Sequence, residues 1–168
     1  RKRAKHMDRT AVFGVASARM AIDDAHLDVS AEDPDRIGVI VGTSRGQYDY
    51  DYVMAQRTGD NAAEWSKITP EASLRAFPEA CASQISIEFQ IAGPSLTLTT
   101  TGSSALDSIG HAMRAVRYGE LDVVVTGGAQ SPIHESMLSA YGMTGVMSTR
   151  NDDPQHAMRP FDRDRDGF

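Results

Sequence analysis

Two short runs of β-branched residues limit what this chain can fold into more than any other feature. Ile37-Gly38-Val39-Ile40-Val41-Gly42 and Leu121-Asp122-Val123-Val124-Val125-Thr126 are each long enough for one buried strand. Neither alternates polar with apolar, so neither reads as a strand with one wet face. Ser95 to Thr101 is Thr-rich and alternating, and adds a third strand. Helical stretches separate them. Asp8 or Thr10 can cap a helix running to about His26. A second helix covers roughly Pro78 to Ile91 and ends at Ala92-Gly93-Pro94, and Pro70 opens a helical stretch before it. Ser103 to Tyr118 carries Leu106, Ile109, Met113 and Val116 on one face, with Gly119 where a C′ glycine belongs. A further helix is expected near residues 134–144, and residues 44–60 are polar, aromatic and helical in tendency. Strands alternating with helices predict an α/β fold with a mainly parallel sheet covered by helices.

The 168 residues allow one domain portion with a core, and no repeat, linker or low-complexity tract divides them. No window reaches the roughly 18 apolar residues of a membrane span, so no membrane role is expected. Charge argues against a nucleic-acid partner. There are 17 Lys and Arg against 23 Asp and Glu, net −6, and five of the basic groups fall in the first nine residues. A single cysteine, Cys81, excludes a disulfide framework or a multi-cysteine zinc site and predicts a reducing, cytoplasmic setting. The chain begins at Arg1 and stops at Phe168 straight after an acidic turn, and it reads as a piece of something longer.

The junction at Thr101-Gly102 is the most informative. A strand, a tight turn and a helix from Ser103 would set residue 102 at a helix N-terminus, where backbone N–H groups and the dipole favour negative charge. Such turns are also common scaffolding, and geometry alone does not make this one a site. Two other motifs are weaker. Asp162-Arg163-Asp164-Arg165-Asp166-Gly167 fits the start of a calcium loop, but Arg159-Pro160-Phe161 before it is not a helix end, so a structural turn with Arg–Asp pairs is expected and no metal. Gly127-Gly128 follows a strand without the Lys-Ser/Thr of a phosphate loop.

Several of these segments together resemble one family. PSLTLTTTGSSALDSIGHAMRAVRYGELDVVVTGGAQSP, then STRNDDPQHAMRPFDRDRDGF, with RIGVIVGTSRG upstream, resemble the amino-terminal half of β-ketoacyl-acyl-carrier-protein synthases of type II fatty-acid and polyketide systems. The match covers residues 1–168 and is weak over 45–75. The resemblance implies a thiolase-like fold, two βαβαβ halves stacked in five layers, here as a partial amino-terminal domain. The first strand would precede Arg1, and the second half, with two catalytic histidines, would follow Phe168. With that half absent, strands 37–42 and 121–126 are expected to show bare apolar faces. His6, His26, His111, His134 and His156 match none of the catalytic histidines and are taken as surface or packing residues.

The resemblance also implies a decarboxylative condensation of an acyl thioester with malonyl-acyl-carrier protein. It implies acyl-carrier protein as partner, a homodimer or a heterodimer with a ketosynthase-family subunit, and no metal or organic cofactor. Ser95 to Thr101 would be an edge strand at that dimer's axis. Thr101, Arg45 and Tyr141 would line the acyl pocket, where Arg45 would either narrow it or swing outward. One departure matters. The family has a nucleophilic cysteine where this chain has Gly102, and only the backbone N–H of an oxyanion hole would survive there. Cys81 lies in the preceding helix as a buried thiol, and Ser103 would point a helical step of ~100° away. Two explanations stay open. Gly102 belongs to a non-catalytic partner subunit of the chain-length-factor kind, or it replaces the cysteine of a synthase whose surrounding motifs are intact.

Overall fold

Asp8, not Thr10, starts the first helix. In the computed structural model, which describes residues 7–44, 77–131 and 133–168, the Ala11 and Thr10 N–H groups donate to the Asp8 carboxylate at 3.0 and 3.2 Å. This satisfies two of the donors that a first turn leaves open. Helix α1 (Arg9–Asp24) then runs to a left-handed His26, φ 51°, whose successor Leu27 donates back to the Ile22 carbonyl. Strand β1 (Ile37–Gly42), helix α2 (Ala80–Phe89), strand β2 (Ser95–Leu98), helix α3 (Ser104–Arg117) and strand β3 (Val123–Gly128) follow. Gly119, φ 72°, ends α3 in a Schellman turn: Gly119 N–H donates to the Val116 carbonyl and Glu120 N–H to that of Ala115. The helical tendencies at residues 44–60 and at Pro70 lie outside the described residues, apart from Ser44.

The described strands form one parallel sheet in the order β2-β1-β3. Val39 pairs with Ser95 on one side and with Val125 on the other. All six residues of β1 are buried. Ile37, Val39 and Val41 point to one face and pack with Ala18 of α1 and Cys81, Ala82 and Ile85 of α2. Helix α1 meets α2 closely enough that a Cβ on Gly14 would stand 2.2 Å from Cys81 Sγ. Gly38, Ile40 and Gly42 point to the other face, against which α3 lies.

Three expectations change here. β1 shows no bare apolar face, because α1 and α2 cover one side and α3 the other. In β3, Val123, Val124 and Val125 are only half-buried, and α3 carries further exposed apolar surface. Leu106 is 73% exposed, and Ile109, Met113 and Val116 are also exposed, while Ser104, Ser108, Ala112 and Ala115 meet the sheet. Small residues bring the helix close to the strands, and the large ones are left to face outward. β3 also runs two residues later than predicted, and β2 stops at Leu98 rather than Thr101.

By compactness the chain falls into Arg1–Ser131 and Pro132–Phe168. The second unit holds helix α4 (Glu135–Thr144) and a return of the chain in which Phe168 N–H donates to the Val146 carbonyl and Ser148 N–H to the Phe168 carbonyl. The Asp162–Gly167 run is tied into its own turn. Asp164 N–H donates to Asp162 Oδ1 at 2.7 Å, and the Ser148 hydroxyl donates to Asp166. The Arg159 and Arg165 guanidinium groups donate to the carbonyls of Asp164 and Asp162 rather than to carboxylates. Arg150, 3.8 Å from Asp166, makes the ion pair of this turn. Among the described residues no three His, Cys, Asp or Glu gather as a metal site.

Candidate active site

Where β2 gives way to α3, the chain turns through one residue of unusual conformation. Thr101 takes φ 56°, a region that costs an L side chain energy unless its neighbours hold it. A short 3₁₀ turn, Thr101–Ser103, leads into α3. The Ser104 hydroxyl spans the turn: it accepts from Thr100 N–H at 2.9 Å and donates to the Thr101 carbonyl at 2.6 Å. The start of α3 is seated on glycine. A Cβ on Gly42 would stand 2.2 Å from the Ser104 carbonyl oxygen, and one on Gly128 would stand 2.6 Å from Ala105 Cβ. Ser108, fully buried, adds a clamp by placing its hydroxyl 2.8 Å from the Gly127 carbonyl. The turn therefore stands at the carboxyl ends of parallel strands, the side on which open α/β sheets bind their ligands.

Gly102 sits in that turn and is exposed. Its φ is outside the left-handed region, and a Cβ built on it meets nothing within 4 Å. Neither backbone nor space requires glycine there. This contrasts with Gly42 and Gly128, where any side chain would collide. Residue 102 would therefore accept a side chain without collision, and in this chain it carries none.

Beside it lies a polar cluster that sequence reasoning missed. The Thr100 hydroxyl donates to Asp107 Oδ2, and the Ser103 hydroxyl lies 3.0 Å from the same oxygen. Ser103 Oγ is also 3.0 Å from the Thr100 carbonyl and 3.2 Å from Thr100 Oγ1. Donation from Thr100 and Ser103, with smaller contributions from His111 and Arg114, holds the Asp107 carboxyl below the usual range. A carboxylate so stabilised is a poor base. The readable signal was Ser103 and Asp107 four apart in the opening turn of a helix.

The structure brings together two of the predicted site residues, Thr101 and Gly102. Arg45 lies outside the described residues. Tyr141 is in α4 of the second unit, edge-to-face with Phe168 at 5.3 Å between ring centroids. Cys81 is buried against Gly14, and burial, with the Asp8 charge adding to it, pushes its thiol up to about 12. At neutral pH it is not a nucleophile. Of the histidines, His26 ends α1, His111 is exposed on α3, His134 is half-buried just before α4, and the His156 ring lies 2.9 Å from Asp153; His6 is outside the described residues.

Comparison with known proteins joins these features. Residues 1–168 match the family model described as "Beta-ketoacyl synthase, N-terminal domain". The chain is 33% identical over 168 residues to a 3-oxoacyl-[acyl-carrier-protein] synthase 2 of Vibrio cholerae, covering all of this chain and 40% of that protein. It is also 33% identical to a putative polyketide beta-ketoacyl synthase 1 of Streptomyces halstedii, covering 98% of this chain and 40% of the relative. Among solved structures, the ishigamide ketosynthase/chain length factor superposes with a TM-score of 0.81 at 26% identity, over 96% of this chain and 38% of that one. The chain thus spans about 40% of the length of the curated relatives it matches. The fold is thiolase-like.

Proposed function

The chain belongs to the β-ketoacyl synthase family, and on that premise we propose that it is the amino-terminal part of a longer ketosynthase-type protein whose nucleophile position, residue 102, is empty. In the reaction such a frame serves, a thiolate at that position attacks an acyl-carrier thioester and the carrier's thiol leaves. Malonyl-carrier protein then loses CO₂, and the resulting carbanion attacks the enzyme-bound thioester and releases the enzyme thiolate. The backbone N–H of residue 102 would supply half of the oxyanion hole in both steps. The Thr101 and Tyr141 side chains, with Arg45, are read as acyl-pocket residues. Acyl-carrier protein is the partner, fatty-acid or polyketide synthesis is the setting, and the cytoplasm is the location.

One observation carries this reading. Gly102 occupies a turn that neither needs glycine nor crowds a side chain, at the carboxyl ends of three parallel strands. The exposed Leu106, Ile109, Met113 and Val116 support the view that further chain covers α3. β2 lies at one end of the described sheet and carries no charge, which supports pairing with a second ketosynthase-family subunit across that edge.

A second reading is favoured by the missing thiol itself. The chain would then be a non-catalytic subunit of the chain-length-factor kind, shaping the site of an active partner. The two readings separate in a turnover assay with acyl- and malonyl-carrier protein. The Gly102→Cys variant of the protein that carries this chain should form the β-ketoacyl product if the frame is an intact synthase. No product, together with stimulation of a separate ketosynthase by the unaltered protein, would establish the partner-subunit reading.

A further inference from the structure

We infer that Asp107 is a positioning residue for the residue-102 turn, acting through the Thr100 and Ser103 hydroxyls that flank it on either side. The inference rests on the ketosynthase reading for its meaning in a reaction, but its geometry stands alone. Asp107 is one turn into α3, whose first turn is immobilised on Gly42 and Gly128. A single oxygen of its carboxylate, Oδ2, takes the Thr100 hydroxyl from before the turn and the Ser103 hydroxyl from after it. Thr100 has its own backbone N–H on Ser104 Oγ, and the single Ser103 hydroxyl proton is shared between Asp107 Oδ2 and the Thr100 carbonyl, each 3.0 Å from Ser103 Oγ. Residues 100 and 103 are thereby held together around the left-handed Thr101 and the open Gly102.

The chemistry favours positioning over proton transfer. Asp107 is stabilised as a carboxylate by the hydroxyls it holds, and it accepts two hydrogen bonds without giving one up. No side chain is donated by Gly102 itself, so the direction of anything placed there is set by the backbone of residues 100–103. A turn that drifts by an ångström misaims a reacting group, and a loss of that kind reaches about 10²-fold. Because both bonds fall on one oxygen, the amide oxygen of Asn can replace it at the same place, whereas Ala cannot.

The test uses the protein that carries this chain with Gly102→Cys, alone and combined with Asp107→Ala or Asp107→Asn. Two rates are read at the introduced thiol: acylation by an acyl-carrier-protein thioester, with kcat and KM separated, and alkylation by iodoacetamide. Cys81, buried and protonated, stays silent. With Asp107→Ala, kcat for acylation should fall at least about tenfold with KM unchanged, alkylation should shift by a similar factor, and the melting temperature should hold. Asp107→Asn should restore both rates to within about twofold of the Gly102→Cys parent. Equal rates in the Ala variant and the parent would overturn the inference, and so would an Asn variant as slow as Ala, which would assign the effect to charge. If the Gly102→Cys parent is not acylated at all, the ketosynthase reading fails, and the alkylation rates alone then decide for or against the positioning role.

Discussion

If Cys81 is the structural thiol that the fold makes of it, its reaction with an alkylating agent should be slow by an amount the structure sets. Its thiol is pushed to about 12 by burial between α1 and α2, with the nearby Asp8 charge adding to that. At pH 8 the thiolate fraction is then on the order of 10⁻⁴, against roughly one quarter for an ordinary cysteine of pKa about 8.5. Only the thiolate reacts, so alkylation in the native protein should run about 10³-fold slower than in the unfolded chain. The measurement is iodoacetamide labelling at pH 8, sampled over time and read at the Cys81 peptide by mass spectrometry, in buffer and in denaturing urea. Peptide-level reading keeps the result independent of any other cysteine in the protein. A native rate within about tenfold of the unfolded one would refute the reasoning. It would mean that Gly14 and Ile85 do not seal the thiol, and that Cys81, set aside as a buried thiol, would have to be considered as an acyl acceptor.

Three further outcomes follow from the same geometry. Gly42→Ala drives a Cβ to 2.2 Å from the Ser104 carbonyl oxygen, with only backbone to yield, and should lower the urea midpoint by about 1–3 kcal/mol of stability, whereas Gly102→Ala should leave it unchanged; equal midpoints would contradict the packing of α3 on the strand ends. Asp8 has its folded pKa raised by burial, so the native state binds its proton more tightly and the group's contribution declines as pH rises through the carboxylate range. Asp8→Asn should therefore gain on the unaltered protein across that range in urea titrations, Asp8→Ala should lose about 1 kcal/mol for the missing cap, and a pH-independent Asn difference would refute the sign. Leu98→Lys on β2 should convert a dimer into a folded monomer by sedimentation, and a persisting dimer would remove the edge-strand interface.

The sheet was legible because β-branched runs with no polar alternation have few other uses, and both β1 and β3 fall on such runs. The helix ends were legible where a cap residue stood, as at Asp8 and Gly119. The orientation of α3 was not. Its large residues mark the face that leaves the sheet, and the face that meets it is marked only by Ser104, Ser108, Ala112 and Ala115, whose small size matters because Gly42 and Gly128 lie beneath. Periodicity of bulk points away from such contacts. The end of β2 was misread for a local reason. Thr99, Thr100 and Thr101 continue the strand pattern, yet Thr101 is left-handed and the 3₁₀ turn has already begun. The position of residue 102 was readable from the motif around it. That it opens onto space, and that Asp107 ties its flanks, needed coordinates.

As proposed, residue 102 is a site whose frame is intact and whose nucleophile is absent. Intact-protein mass spectrometry tests this most directly, after incubation with an acyl-carrier-protein thioester and then proteolysis to locate the adduct. The unaltered protein should gain no acyl mass, and Gly102→Cys should gain one acyl group on the peptide containing position 102. An adduct on Ser103 or Cys81 of the unaltered protein would contradict the account, and so would a Gly102→Cys variant that stays unacylated.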